Sequence, residues 1–191
     1  MISSIRLQHF RSYSDEAFEF TPAVNIIVGP NASGKTNLLE SLLVMARGSS
    51  YRVKDTELIA YDQPWARLDA YCGDTQRTVK IVQSPTVSKT YEIGGKTLRR
   101  LSLQHVLPTV VFEPNHLAMF SGAPDLRRSY LDDLLEQLEP AYGRLRKDYR
   151  RILTQRNTLL KRMGMAAEPQ LFPWNVRLSE IAGRLVRSRM Q

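Results

Sequence analysis

A single cysteine, Cys72, is all the thiol this chain has, so no disulfide can form within it and no cysteine-rich metal site can be built. Histidine is almost as scarce. His9, His105 and His116 lie far apart and make no metal-ligand spacing, so each reads as an ordinary surface or core histidine. No apolar run approaches the roughly 18–20 residues that cross a bilayer. The opening Met1-Ile2-Ser3-Ser4-Ile5-Arg6 lacks the basic region and apolar stretch of a secretory signal. Repeats and low-complexity tracts are missing too. These absences point to the cytoplasm, and 42% hydrophobic residues in 191 provide a core for one globular domain or a little more.

Acidic residues are the scarcer sign of charge, and the imbalance is local. Residues 1–119 carry 13 Lys+Arg against 11 Asp+Glu, whereas residues 120–191 carry 14 against 8, so most of the net +8 sits in the last third. A concentrated basic face fits a polyanionic partner such as nucleic acid, and it equally fits a solvated helix rich in arginine.

The pattern of apolar residues changes along the chain. Ile5 and Leu7, then Phe18 and Phe20, alternate with polar neighbours as in half-buried strands. Val24-Asn25-Ile26-Ile27-Val28 reads as a buried strand ending at Gly29, and Leu38, Leu39, Leu42, Leu43 and Met45 then recur at helical spacing up to Gly48. Residues 67–100 return to strand character, with Thr90–Ile93 and Lys96–Leu98 flanking a Gly94-Gly95 hairpin turn. Thr109-Val110-Val111-Phe112 reads as another buried strand. From residue 124 onward the spacing predicts three helices, the first broken at Pro140, the second ending near Gly164, the third still periodic at Met190-Gln191 with no C-cap signal. The expected organisation is an ATP-binding α/β lobe over 1–120 and an incomplete helical lobe over 121–191.

Between the strand and the first helix stands Gly29-Pro30-Asn31-Ala32-Ser33-Gly34-Lys35-Thr36, the pattern G-x-x-x-x-G-K-[ST]. Its place at a strand-to-helix turn is the context a P-loop needs. Gly29 and Gly34 permit backbone angles that other residues resist, and successive N–H groups at a helix start make an anion cradle. Lys35 would reach the β- and γ-phosphates of ATP, and the Thr36 hydroxyl would ligate Mg²⁺. Complete ATPases also need an acid at the end of a second buried strand. Asp62 lies in a polar, proline-broken neighbourhood, and Glu113 follows an apolar strand but lacks a paired second acid. Hydrolytic machinery is therefore not expected in this stretch.

These residues resemble a known family. Ile5-Arg6-Leu7-Gln8-His9-Phe10-Arg11-Ser12-Tyr13, the P-loop and Asn37-Leu38-Leu39-Glu40 resemble the SMC-like ABC ATPases. Gly48-Ser49-Ser50-Tyr51-Arg52, the run from Val110 through Pro114, Arg127-Arg128-Ser129-Tyr130-Leu131-Asp132 and Gln155-Arg156-Asn157 narrow the resemblance to the RecF branch of that family. The resemblance implies a two-lobed P-loop head of the ABC/SMC type with a mixed sheet and a β-hairpin block, then a helical lobe without a long coiled coil. It implies ATP-dependent homodimerisation on gapped DNA, slow hydrolysis, and work with RecO and RecR in loading RecA during replication and repair. By the same pattern Asn31 and Lys35 face the γ-phosphate, Thr36 the Mg²⁺ and Arg11 the nucleotide, with Glu113 at the Q-loop position. Phe120-Ser121-Gly122-Ala123 is similar to an ABC signature, but no apolar strand with acids follows it; the signature and Walker B carboxylates are expected beyond residue 191.

On the second helix Arg144, Lys147 and Arg151 share a face by the i, i+3, i+4 rule and are candidates for phosphate contact on DNA. Arg127 and Arg128 fit lobe packing or a dimer contact as well as they fit DNA. Two other functions stay open at this point. One is a P-loop kinase or GTPase acting on a small molecule or signalling partner, although no guanine-specificity or lid motif is found. The other is a DNA-bound scaffold that uses ATP only to hold a dimer together.

Overall fold

The computed structural model describes residues 1–163 and 168–190, which contacts divide into two compact units, Met1–Thr109 and Val110–Gln191. The first unit is built on six strands: β1 (Ile2–Phe10), β2 (Tyr13–Glu19), β3 (Trp65–Cys72), β4 (Thr75–Gln83), β5 (Val87–Ile93) and β6 (Lys96–Leu98). They lie in the order β2-β1-β3-β4-β5-β6, every neighbouring pair antiparallel. Two-residue connections at Gly73-Asp74 and Gly94-Gly95 set the β3–β4 and β5–β6 registers, and all three glycines have positive φ.

The period-2 alternation becomes an apolar row across the sheet. Leu7 faces Leu68, Leu68 faces Val79, Val79 faces Tyr91 and Tyr91 faces Leu98. Leu7, Leu68 and Val79 are buried, and Ala66 and Ala70 on the same face leave room for a covering helix. That helix is α1 (Lys35–Arg47), which packs on β1, β3 and β4 through Leu38, Ser41 and Met45, spaced three and four apart. Each fully buried Leu or Val contributes about 1.5–3 kcal/mol. The opposite face is polar: Arg6 pairs with Asp15 at 2.7 Å, and Arg67 with Asp69 at 2.8 Å.

In the second unit a short helical turn, α2 (Ala118–Ser121), precedes α3 (Pro124–Leu138), α4 (Pro140–Met163) and α5 (Glu168–Met190). Tyr142, Ile152, Ile181 and Leu185 form its core, with Leu145, Tyr149 and Trp174 against them. Asp132 of α3 is a buried hub: it accepts from Tyr142 Oη at 2.5 Å and from Arg189 Nη2 at 2.7 Å, and Arg146 Nε lies 3.2 Å away. The three expected helices are present; the expected end near Gly164 lies outside the described residues. No described helix is long and apolar enough to cross a membrane.

Two expected strands do not form. Val24–Val28 and Thr109–Phe112 form no regular element and belong to no ladder, and the sheet is antiparallel throughout the described residues instead of mixed. Val24, Ile26 and Val28 are each over 80% exposed, and Phe112 is 65% exposed. The physical reason is pairing. A strand needs a hydrogen-bonding neighbour, and neither segment pairs with β2 or β6, the two edge strands of the sheet.

Candidate nucleotide-binding site

The P-loop connects Val28 to the first turn of α1. Three of its residues take positive φ: Gly29 at 159°, Ala32 at 64° and Gly34 at 92°. A Cβ on Gly29 would come within 2.9 Å of Ser33 Oγ, a hydroxyl that can rotate away, so the demand for glycine rests on the backbone angle. Ala32 adopts the left-handed conformation without being glycine, a local strain of about 1–3 kcal/mol.

Helix α1 starts with no side-chain cap on Gly34 and no acid in its first turn. Its first N–H groups therefore lack intrahelical acceptors and carry the positive end of the helix dipole, the arrangement that receives an anion. Lys35 Nζ donates to the carbonyls of Gly29 at 2.8 Å and Pro30 at 2.5 Å, so the ammonium is folded over the loop it serves. Asn31, Ala32, Ser33 and Thr36 are exposed, as are Gly29 and Pro30, while Gly34 is buried. Among the described residues no group of three His, Cys, Asp or Glu is placed to hold a metal ion. Cation binding here would rest on the Thr36 hydroxyl and the phosphates themselves.

The tip of the β1–β2 hairpin lies against this helix. Tyr13 Oη donates to the Gly34 carbonyl at 3.0 Å, Asn37 Nδ2 donates to Ser12 Oγ at 2.9 Å, and Arg11 Nε donates to Glu40 Oε2 at 2.9 Å. Glu40 is fully buried and also accepts from Ser50 Oγ. Burial, and next the charge of Glu16, raise the Tyr13 phenol above its ordinary pKa, which keeps it a proton donor. Arg11, expected at the nucleotide, thus spends Nε and Nη2 on Glu40, and it lines a cleft of about 750 Å³ with Glu57, Tyr61 and Asp62. Ser12, Tyr13 and Glu40 were visible in the sequence only as parts of a resemblance. The signal that could have singled them out is a polar stretch at a hairpin tip facing a helix carboxylate.

Glu113 belongs to the second unit, where it caps the turn Pro114–Leu117, its own N–H donating to His116 Nδ1 at 3.1 Å. The histidines behave as ordinary ones: His9 stacks edge-on against Trp65, His116 lies near Phe112, and His105 bonds Ser102. Of the candidate phosphate contacts, Arg144, Lys147 and Arg151 are all exposed on α4, and Arg151 shares its charge with Asp148 at 3.1 Å. Arg127 donates to the Met119 and Gly122 carbonyls, and Arg128 pairs with Asp125.

The sequence model of the RecF/RecN/SMC N-terminal domain family matches residues 1–123. The chain is 38% identical to the DNA replication and repair protein RecF of Heliobacterium modesticaldum, covering 99% of this chain and 52% of that protein. It is also 38% identical to RecF of Synechococcus sp. strain JA-3-3Ab, over 97% of this chain and 50% of that one. The chain thus spans about half the length of the curated relatives it matches. Among solved structures it superposes on the recombination mediator protein RecF-ATPrS of the RecFOR pathway with a TM-score of 0.79, 26% identity, and coverage of 99% of this chain and 53% of that one. An SMC ATPase, at 20% identity and a TM-score of 0.56 over 70% of this chain and 98% of that one, shares the fold.

Proposed function

Because the chain belongs to the RecF/RecN/SMC N-terminal domain family, we propose that it is the ATP-binding half of a RecF-type DNA-repair ATPase. The observation that carries the reading is the loop itself: an uncapped helix start, a strained turn of correct sequence, and Lys35 poised over it. ATP would lie with its phosphates on backbone N–H groups between Asn31 and Thr36, Lys35 and Asn31 at the γ-phosphate, and Mg²⁺ between the phosphates and Thr36. Arg11 reaches the nucleotide through the part of its guanidinium that Glu40 does not hold. The lobe over 1–120 supplies this site, and the helical segment over 121–191 presents Arg144, Lys147 and Arg151 to DNA phosphates. A RecF-type protein would act at gapped DNA with RecO and RecR to load RecA, and would form an ATP-dependent homodimer. The RecFOR pathway named for a structural relative supports that role. Glu113 has no paired second acid beside it in the sequence, so on this reading the chain alone binds nucleotide without turning it over.

The test is equilibrium binding of Mg-ATP to the chain and to Lys35→Ala. Micromolar binding that weakens at least tenfold in the variant, with no release of phosphate, is the expected result. Preference for GTP, or binding indifferent to Lys35, would overturn the reading.

A further inference from the structure

We propose that the hairpin tip Arg11-Ser12-Tyr13 is a clasp that sets the phosphate cradle, with Tyr13 as a positioning residue for nucleotide binding. This rests on the reading that the loop binds nucleotide. Three consecutive tip residues meet the N-cap and two residues of α1 at a spacing of three: Tyr13 meets Gly34, Ser12 meets Asn37 and Arg11 meets Glu40. Residues three apart lie on one side of a helix, so the tip runs along α1 towards its N-terminus. The tip is itself held. Arg11 N–H donates to the Leu58 carbonyl at 2.9 Å, and the His9 carbonyl accepts from Ala60 at 2.7 Å. Both His9 and Arg11 take positive φ, a conformation that persists only where surrounding contacts fix it.

What the clasp controls follows from peptide geometry. The Gly34 carbonyl and the Lys35 N–H belong to one planar unit and point in opposite directions. Tying that carbonyl to Tyr13 therefore fixes where the Lys35 N–H points, and with it one donor of the cradle at the helix start. The carbonyl also accepts the helical bond from Leu38 N–H at 3.0 Å, so two donors on one oxygen leave the plane little freedom. Gly34 gains a second reason to be glycine. A Cβ there would stand 2.9 Å from Tyr13 Oη and 3.0 Å from Ser12 Oγ, so only glycine admits the tip this close. Sequence pattern explains Gly34 by the loop alone; the structure shows that the hairpin needs it too.

The test compares Tyr13→Phe, which removes one oxygen, with the unaltered chain. Affinity for ATP and for inorganic tripolyphosphate is measured beside the melting temperature of the unliganded protein. Loss of one hydrogen bond on the cradle is expected to weaken both ligands by about threefold to tenfold. The two losses should match, because the clasp acts on the phosphate end and not on the base. Melting should move by no more than a few degrees. Ser12→Ala, which releases Asn37, should act in the same direction and carries the test if Tyr13→Phe fails to fold. Unchanged affinities, or lower melting with unchanged affinities, would reduce the tip to a structural brace and overturn the proposal. A chain that binds neither ligand, in altered and unaltered forms alike, would remove the nucleotide reading along with the clasp.

Discussion

Glu40 shows what a single residue can conceal. In an amphipathic helix a glutamate reads as solvated surface, yet its carboxylate is fully buried between Arg11 and Ser50. The P-loop could be read from the sequence because its chemistry fixes residue types at set spacing. Glu40 could not, since its burial depends on a hairpin tip that arrives from 29 residues away. A buried carboxylate without its partner is costly, so Arg11→Ala should destabilise the chain by about 3 kcal/mol in urea melts. Adding Glu40→Gln should restore part of that, because the uncompensated charge is gone. A single variant as stable as the unaltered chain would show that water reaches Glu40, contrary to the geometry.

Helix α1 is anchored at both ends, and the far end supplies a pH signature. Gly48 closes the helix at φ 79°, and Tyr91 of β5 donates to its carbonyl at 2.9 Å. Burial, and secondarily the charge of Asp55, push the Tyr91 hydroxyl up to about 12 from an ordinary 10.0. The folded state thus favours the protonated phenol. Its contribution is fully present below pH 10 and is lost as pH rises towards about 12. Stability should fall across that interval, and Tyr91→Phe should flatten the fall; the same decline in the variant would assign it to other groups. On α4 the expected DNA contacts differ in their freedom. Arg144 and Lys147 have no ion-pair partner among the described residues, whereas Arg151 is shared with Asp148. Arg144→Ala and Lys147→Ala should each reduce the slope of log affinity against log salt by about 0.9 on duplex or gapped DNA, and Arg151→Ala by less. Slopes that do not change would move the DNA surface elsewhere. Periodicity announced α3, α4 and α5 correctly. Their faces remain partly open, with Leu131, Leu138, Phe172 and Val176 exposed, because spacing specifies a stripe but not the surface that covers it.

At the scale of the molecule the same distinction separates the strands that form from those that do not. The block from Trp65 to Leu98 was plain in the sequence because each strand there has a neighbour one short turn away, so local signals determine pairing. Val24–Val28 carries an equally strong apolar signal, yet hydrophobicity states a demand for burial and says nothing of who meets it. In the folded chain its backbone enters no ladder among the described residues, and Asn25 bonds through its side chain to Thr21 and Ala23. Ile27 instead lines an apolar groove of about 450 Å³ with Phe20, Leu39 and Leu42. This segment leads straight into Gly29, so the P-loop is firmly held at its helix end and loosely at its strand end. Hydrogen exchange should read that asymmetry directly. Amides of Ile26, Ile27 and Val28 should exchange at nearly the rate of an open peptide, while those of Leu68, Val79 and Ile81 should be slowed by orders of magnitude. Equal protection of both groups at low concentration would show that the segment is paired within the chain, against the structure. Protection that appears only as protein concentration rises would place the pairing between copies, the route by which an unpaired apolar strand satisfies its backbone when no neighbour is supplied.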